Sequence, residues 1–337
     1  MKILIIKLGA LGDVIRTTPL LRKLKSIYPD SEITWVTKPS SKEILEGISS
    51  IDEIITLPAP EEVFTKEFDL LLSMDVDLEA TQMSNRINAK EKKGFFDAEG
   101  FPTIFNEGAE YYLNTIFDDE LKRTNTKTAQ EMFFEIAELK FEGEKPLIHI
   151  SEDIKSEMKS FTDNLKSRNK KLIGINVGSS SRWPSKSWHK DNIIEFIKKI
   201  KEDNFEILLL GGNEEISKIR GIQEELNQEG IETFHKETSN SLKYFFALIS
   251  QCDLIICGDT LALHASLALH KPTIALFFCT SPNEIEGYNQ LAKIISPKLK
   301  DFFPHKMDKY DEELVKSITP DGVLSVVRNI TINKNSF

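Results

Sequence analysis

Residues 7–21, KLGALGDVIRTTPLL, place an acid where a phosphate-binding turn would leave room for an anion. The stretch follows the apolar run 3–6, and this order predicts a strand, a glycine turn and a helix that begins near Asp13. A helix N-terminus offers free N–H groups and a partial positive charge, which suit a phosphate. A carboxylate here is either a helix cap or a group with chemistry other than phosphate binding. The turn by itself leaves both interpretations open.

A second turn, within IICGDTLALHASLALHKP at 255–272, carries an aspartate, a threonine and a histidine. After a predicted strand and a glycine, Asp259 and Thr260 begin a helix, and His264 follows one turn later on the same face. Free N–H groups, a hydroxyl and an imidazole can hold a diphosphate. The same residues can instead cap the helix and pack in the core. The pattern favours the two interpretations equally.

A third turn, in INVGSSSRWPSKSWH at 175–189, combines hydroxyl groups with positive charge. Ser179 and Ser180 follow a predicted strand, and Arg182 and Lys186 come soon after them. Hydroxyls, cations and a helix start in one turn suit a phosphate leaving group better than a plain loop requires. We therefore predict phosphate contacts in this turn.

Two further residues near these turns have competing interpretations. Glu215, in LLLGGNEE at 208–215, can accept hydrogen bonds from a ribose or a base edge. A solvated glutamate in the first turn of a helix is the slightly favoured interpretation when that turn is taken alone. Trp183 is predicted to pack against Pro184 rather than to stack on a base.

Short apolar runs that alternate with helical patterns must position these turns. The predicted strands lie near 2–7, 32–37, 53–57, 69–74, 172–177, 206–210, 253–257 and 272–278. The predicted helices lie near 13–28, 40–47, 190–203, 214–228, 241–250 and 260–270. This alternation indicates parallel sheets covered by helices on both faces, and it occurs twice. We therefore predict two doubly wound α/β domains, in which ligands lie beyond the carboxyl ends of the strands.

The boundary between the predicted domains falls in SEDIKSEMKSFTDNLKSRNK, residues 151–170. Its apolar residues recur at intervals of three and four, which predicts an amphipathic linker helix. We accordingly divide the chain into residues 1–160 and 161–337. The tail NKNSF, residues 333–337, is predicted to be frayed.

Composition excludes several classes of protein. The net charge of −10 over 337 residues argues against nucleic acid as a partner. The three cysteines lack metal-ligand spacing and indicate a reduced, cytoplasmic protein. No uncharged apolar stretch approaches the roughly 18 residues of a membrane span. A bare Asp-x-Asp match at 75–77 resembles a metal clamp, but so short a match is often accidental, and we predict no metal site.

Taken in order, these turns resemble the bacterial ADP-heptose:lipopolysaccharide heptosyltransferases, glycosyltransferase family 9. The matching stretches are KLGALGDVIRTTPLL, AKEKKGF at 89–95, GSSSRWPSKSW, LLLGGNEE and GDTLALHASLALHKPTIALF. The resemblance implies the GT-B fold, in which two Rossmann-like domains face a central cleft. It also implies that the N-terminal domain binds the acceptor and the C-terminal domain binds the nucleotide sugar.

The resemblance implies roles for individual residues. Asp13 matches the catalytic base of an inverting, metal-independent transfer. Apart from the resemblance, Lys7 and Arg16 are cations of the N-terminal half, and they are either candidates for binding the acidic or phosphorylated sugars of the acceptor or ordinary solvated side chains. The residues expected to bind the nucleotide sugar are Ser179, Ser180, Arg182, Lys186, Glu215, Asp259, Thr260, Leu261 and His264.

The chain departs from the family pattern at three positions. Ser181 stands where the family often has the lysine of Lys-Arg-Trp-Pro, so Arg182 or Lys186 is expected to supply the phosphate cation. Leu261 stands where a glycine commonly follows Asp-Thr, and Ser281 stands where the family usually has aspartate.

The resemblance therefore implies transfer of a heptose from ADP-heptose to a lipopolysaccharide inner-core or related glycan acceptor. The nucleotide sugar is a substrate, and no cofactor or metal is expected. The protein is expected in the cytoplasm, with transient contact at the inner face of the cytoplasmic membrane. Two alternatives stay open at this point, which are a sugar-nucleotide epimerase or hydrolase of the same fold and a catalytically silent nucleotide-sugar-binding protein.

Overall fold

The computed structural model describes residues 1–165, 170–201, 203–238 and 241–332. The chain divides into two units, one formed by Met1–His149 with Asn283–Glu286 and the other by Ile150–Pro282 with Gly287–Phe337. The tail that was predicted to be frayed, residues 333–337, lies outside the described residues, as does the stretch 166–169 at the end of the predicted linker helix.

The first unit is an α/β sheet, and residues 1–149 are described throughout. Its strands are β1 (Lys2–Ile6), β2 (Glu32–Thr37), β3 (Glu53–Thr56), β4 (Glu67–Ser73), β5 (Asn88–Ala98) and β6 (Phe101–Ile104). Its helices are α1 (Leu11–Thr17), α2 (Pro19–Ile27), α3 (Lys42–Leu45), α4 (Glu62–Thr65), α5 (Leu78–Arg86), α6 (Glu110–Phe117), α7 (Asp119–Thr124) and α8 (Ala129–Ile136).

Strand β1 lies near the centre of this sheet, and its four consecutive apolar residues, 3–6, are all buried. The strand order is β3-β2-β1-β4-β5-β6, and the strands are parallel except for the last pair. Ile3 pairs with Ile33 of β2 on one side and with Leu70 of β4 on the other. The order therefore reverses between β1 and β4, which is where such sheets bind ligands. The Asp13 turn and Asp75 both follow strands at this point.

Three local differences from the sequence prediction have physical causes. The helix predicted over 13–28 is two helices, because Pro19 has no N–H to continue the hydrogen-bond ladder and instead begins α2. Strands β5 and β6 were not predicted, since β5 carries many charged residues. They form a hairpin whose turn residues Glu99 and Gly100 both have positive φ, 55° and 90°, the geometry that matches the twist of paired strands.

The second unit is also an α/β sheet. In the described part of this unit the strands are β7 (Lys171–Asn176), β8 (Phe205–Leu210), β9 (Leu254–Gly258), β10 (Thr273–Phe277) and β11 (Leu291–Ile295). The helices are α9 (Glu152–Leu165), α10 (Lys190–Ile200), α11 (Ile216–Gln228), α12 (Leu242–Gln251), α13 (Leu261–Ala268), α14 (Leu299–Phe302), α15 (Glu312–Lys316) and α16 (Pro320–Ile332).

All strand pairs of this sheet are parallel, in the order β11-β10-β9-β7-β8, and Phe234 adds an isolated parallel bridge beside β8. The order reverses between β7 and β9, so the turns after these two strands meet at the carboxyl edge. The two doubly wound α/β domains predicted from the sequence are confirmed. No helix in the described ranges is long and apolar enough to cross a membrane.

Helix α10 shows how the helices cover the sheet. His189 precedes it and accepts a hydrogen bond from the Asp191 N–H through its ring, which satisfies one of the free donors of the first turn. Ile193, Phe196 and Ile200 recur at three- and four-residue intervals and are buried against β7 and β8. Burial of this apolar face sets the position of α10 on the sheet. The position of α10 in turn limits where the segment between β7 and α10 can lie.

Candidate functional site

Three predicted residues of the second unit meet around one carboxylate, and we call them the Asp259 cluster: Asp259, Lys186 and His264. The Nζ of Lys186 lies 3.0 Å from Oδ2 of Asp259, and the Nε2 of His264 lies 3.6 Å from Oδ1. Asp259 and His264 are buried, and the Lys186 side chain is 19% exposed. The aspartate therefore holds a cation and an imidazole on its two oxygens, beside the start of α13.

Thr260 precedes α13, and its side chain makes no hydrogen bond to the helix N–H groups. Its hydroxyl instead accepts from Asn176 Nδ2 at 3.3 Å, and Asn176 also donates to the Gly178 carbonyl at 2.8 Å. Of the two interpretations of this turn, a side-chain cap by Thr260 is therefore not observed. Leu261 is the first residue of α13 and is partly buried.

A glycine brings Lys186 to the Asp259 cluster. A Cβ atom on Gly258 would lie 1.8 Å from the backbone oxygen of Lys186, a distance that no side chain can tolerate. The end of β9 and the segment before α10 can approach this closely only because residue 258 has no side chain. Gly258 therefore sets the contact between Lys186 and Asp259.

Residues 177–187, which we call the serine loop, follow β7 and carry four of the predicted site residues. The Ser179 hydroxyl is 3.4 Å from the Pro184 carbonyl, and the Ser180 hydroxyl accepts from the Arg182 N–H at 3.3 Å. Arg182 is exposed, and its guanidinium lies 5.2 Å from the centre of the Trp183 ring. The structure thus separates the two candidate cations, since Lys186 joins the Asp259 cluster and Arg182 does not.

A cavity of about 370 Å³ lies between the serine loop and the start of α11. Ser179, Ser180 and Glu215 are among its lining residues. Glu215 accepts a hydrogen bond from the Gly212 N–H at 2.8 Å. A Cβ atom on Gly178 would lie 2.4 Å from the Glu215 carboxyl carbon, so this glycine leaves room for the carboxylate. Glu215 therefore orders the turn after β8 and also faces the cavity.

Sequence analysis missed Lys218, which also lines this cavity. Its Nζ donates to the Val177 carbonyl and the Ser187 hydroxyl, both at 2.7 Å, and to the Trp188 carbonyl at 3.2 Å. Burial lowers the pKa of Lys218 to about 8, against a smaller opposite effect of Glu215. The signal that could have found it is its place three residues after Glu215, on the same face of the first turn of α11.

In the first unit, Asp13 is the third residue of α1 and does not occupy the N-cap, which is Ala10. Its carboxylate accepts from the Ala10 N–H at 3.3 Å and forms an ion pair with Arg16. The Asp13 side chain remains 31% exposed, whereas that of Arg16 is 16% exposed. Arg16, predicted as an acceptor contact, is thus the ion-pair partner of the proposed base.

A buried ion pair between Lys7 and Asp75 lies at the start of the turn that carries Asp13. The Asp75 carboxylate accepts from the Lys7 ammonium and from the Leu8 N–H, and Lys7 also donates to the Met74 carbonyl at 3.3 Å. Burial is the largest single influence and lowers the pKa of Lys7, but Asp75, Tyr112 and Asp13 together outweigh it, and the net shift of the pKa is upward. Lys7, predicted as an acceptor contact, is only 2% exposed, so its ammonium orders the turn.

Thiol chemistry and metal binding gain no support from the described residues. The three cysteines are buried, and burial raises the pKa of the Cys279 thiol to about 11, so this thiol stays protonated at neutral pH. Among the described residues, no group of three His, Cys, Asp or Glu side chains could hold a metal ion. The candidate site residues thus include a partly exposed carboxylate, Asp13, in the first unit, and cations, hydroxyls and a helix N-terminus in the second.

The chain matches the model of the family described as "Glycosyltransferase family 9 (heptosyltransferase)" over residues 61–311. It is similar to lipopolysaccharide heptosyltransferase 1 of Campylobacter coli, with 26% identity covering 98% of this chain and 99% of that protein. The sequence resemblance drawn from the turns is therefore confirmed.

Two solved structures share the fold. A glycosyl transferase family 9 protein from Veillonella parvula superposes with a TM-score of 0.77 and 17% identity, over 98% of this chain and 97% of that one. The Escherichia coli ADP-heptose lipopolysaccharide heptosyltransferase II superposes with a TM-score of 0.73 and 19% identity, over 99% of both chains. These similarities confirm that the two units form the GT-B fold.

Proposed function

Because the chain belongs to glycosyltransferase family 9 and is a glycosyltransferase, we propose that it transfers a heptose from ADP-heptose to a lipopolysaccharide inner-core or related glycan acceptor. The full-length similarity to a lipopolysaccharide heptosyltransferase supports the reaction. The observation that carries the proposal in this chain is the Asp259 cluster beside the N-terminus of α13, since a diphosphate leaving group needs cations and N–H donors there.

The donor is proposed to bind the second domain, with its diphosphate at Lys186, His264, Thr260 and the first N–H groups of α13, which begins at Leu261. Asp259 would repel a diphosphate if it touched it directly. We assign it the task of orienting Lys186 and His264, both of which contact its carboxylate. Lys186 is then the cation that replaces the family lysine.

The serine loop and the cavity beside it provide the rest of the donor site. Ser179 and Ser180 line the cavity and have hydroxyls that can donate to phosphate oxygens. Glu215 faces the same cavity and can accept from ribose hydroxyls while it holds the Gly212 N–H. Arg182 is exposed and is left with an outer, long-range role.

Asp13 is proposed as the general base of an inverting transfer on the first domain, the acceptor domain. Its carboxylate takes the proton of the acceptor hydroxyl while that oxygen attacks C1 of the sugar, and the C1–O bond to the diphosphate breaks on the opposite face. Negative charge then develops on the diphosphate, where Lys186, His264 and the helix N-terminus stabilise it without rearranging. No metal enters this scheme. The reaction is assigned to the cytoplasm at the inner face of the membrane, where nucleotide sugar and lipid-linked acceptor meet.

The test is incubation of the protein with ADP-heptose, with and without a heptose-free lipid A–core acceptor, followed by mass spectrometry of the glycan and assay of ADP. We expect one added heptose and ADP release only when acceptor is present. ADP release without acceptor would indicate a hydrolase, a changed sugar nucleotide would indicate an epimerase, and binding without turnover would indicate a silent binding protein. Calorimetry with ADP, UDP and GDP tests which nucleobase the donor carries. UDP that binds as tightly as ADP does would contradict the assignment of adenine.

A further inference from the structure

Lys218 closes the serine loop on itself. Its ammonium contacts the Val177 carbonyl, where the loop leaves β7, and the Ser187 hydroxyl and Trp188 carbonyl, where the loop returns toward α10. The Ser187 hydroxyl also donates to the Val177 carbonyl at 2.8 Å. Both ends of the loop therefore meet at one nitrogen, which the first turn of α11 supplies.

The ammonium of Lys218 also differs from its neighbours in having only neutral acceptors. Within the described part of the chain its nitrogen forms hydrogen bonds to two carbonyls and a hydroxyl and no ion pair. Lys198 and Lys199 on the neighbouring helix α10 are both paired with carboxylates. Burial disfavours the charged form of Lys218 more than the opposite charge of Glu215 favours it, so the carboxylate offsets only part of the cost of burying this ammonium. A ligand that brings negative charge to the cavity would balance it.

We propose that Lys218 is a positioning residue of the nucleotide-sugar site, which joins both ends of the serine loop and supplies positive charge that the donor diphosphate balances. This inference rests on the proposed donor site, because Ser179, Ser180 and Glu215 line the same cavity. It predicts that Lys218 contributes to affinity through charge. The affinity for a nucleoside diphosphate should depend on Lys218, and the affinity for the uncharged nucleoside should not.

The pH dependence of ADP affinity provides a signature that a purely structural residue would lack. The charged groups that line the cavity with Lys218 are Glu214, Glu215, His189, Lys190 and Tyr310. Burial lowers the pKa of His189 and raises that of Tyr310, so these two titrate below and above the range of interest. Burial places the pKa of Lys218 at about 8 in the free protein. ADP affinity should therefore be high below this pH and fall as the pH rises through it.

The experiment is calorimetric titration of the full chain with ADP and with adenosine, from about pH 7 to about pH 9.5. Lys218→Met should weaken ADP binding about tenfold or more at neutral pH, leave adenosine binding unchanged and show no fall near pH 8. Lys218→Arg should retain ADP binding and also lose the fall, because a guanidinium does not titrate in this range. Lys198→Met, at a half-buried lysine of α10 that pairs with a carboxylate, is the matched control and should bind ADP as the wild type does.

If Lys218→Met loses affinity for ADP and for adenosine equally, Lys218 has only a structural role. If the fall in ADP affinity near pH 8 persists in Lys218→Arg, another group is responsible for the titration. Either result overturns the proposal. If Lys218→Met does not fold, the pH profile of Lys218→Arg decides alone. If the wild-type protein binds no ADP, the proposed donor is wrong. If the wild type binds ADP and Lys218→Met binds it equally well, the donor assignment stands and the role of Lys218 is wrong.

Discussion

The Nζ of Lys186 lies 3.0 Å from Oδ2 of Asp259, although the two residues are separated by 73 positions in the chain. The same carboxylate faces the Nε2 of His264 at 3.6 Å. One buried aspartate thus orients two nitrogen groups at the start of α13. A carboxylate beside a proposed diphosphate site is unfavourable unless cations separate it from the phosphates, and here two nitrogen groups contact it.

The first prediction distinguishes the two candidate phosphate cations. Lys186→Met should weaken ADP binding about 10- to 100-fold, the effect of losing one charged hydrogen bond in a partly buried site. Arg182→Met is the matched control in the same loop and should change ADP affinity by less than about threefold, because its guanidinium is exposed. Calorimetry with ADP measures both. The reverse ranking would assign the phosphate contact to Arg182.

The second prediction concerns Asp13. Asp13→Asn keeps a side-chain oxygen that can accept from the Ala10 N–H and loses a partly exposed ion pair with Arg16, which is worth about 1 kcal/mol or less, so the melting temperature and ADP binding should change little. An amide cannot take the proton of the acceptor hydroxyl, so the transfer rate should fall about 10²- to 10⁴-fold. The rate is measured with saturating donor and acceptor. Transfer at a rate near that of the wild type would leave Asp13 as a first-turn acceptor only.

The third prediction concerns Asp75, which sequence analysis considered only as part of a metal clamp. Asp75→Ala leaves the Lys7 ammonium buried without its carboxylate, and the free energy of unfolding should fall by about 3–5 kcal/mol. Asp77→Ala removes the other acid of the motif, which is exposed, and should cost less than about 1 kcal/mol. Urea unfolding measures both. A metal clamp would instead make the two variants similarly inactive and the wild type sensitive to EDTA.

The fourth prediction concerns the close approach at Gly258. Gly258→Ala brings a methyl group onto the Lys186 backbone and should destabilise the second domain by about 1–3 kcal/mol while it displaces Lys186 from Asp259. ADP affinity should fall with it. Gly221→Ala is the control, because no atom lies within 4 Å of its added Cβ in the middle of α11. That variant should be stabilised by about 1 kcal/mol. Thermal unfolding and calorimetry check both, and an unaffected Gly258→Ala would contradict the assigned contact.

Much of the fold could be predicted because strands such as β1, β7 and β9 are short apolar runs followed by glycine turns. Strands β5 and β11 were not predicted, since charged or half-exposed strands lack that pattern and form by pairing with their neighbours. Helices α1 and α2 were predicted as a single helix, because the apolar periodicity continues through the break at Pro19.

The sequence by itself determined which turns carry chemistry, because glycine, acid and hydroxyl residues directly after apolar strands indicate the carboxyl edge of a parallel sheet. It did not determine which side chains meet there. Lys186 and Arg182 are indistinguishable as cations in one loop, and Lys7 resembles a surface lysine until Asp75, 68 residues away, is placed beside it. Periodicity reports whether a residue faces the core, whereas a contact between distant residues depends on strand order and register. Only the tertiary structure decided those pairs.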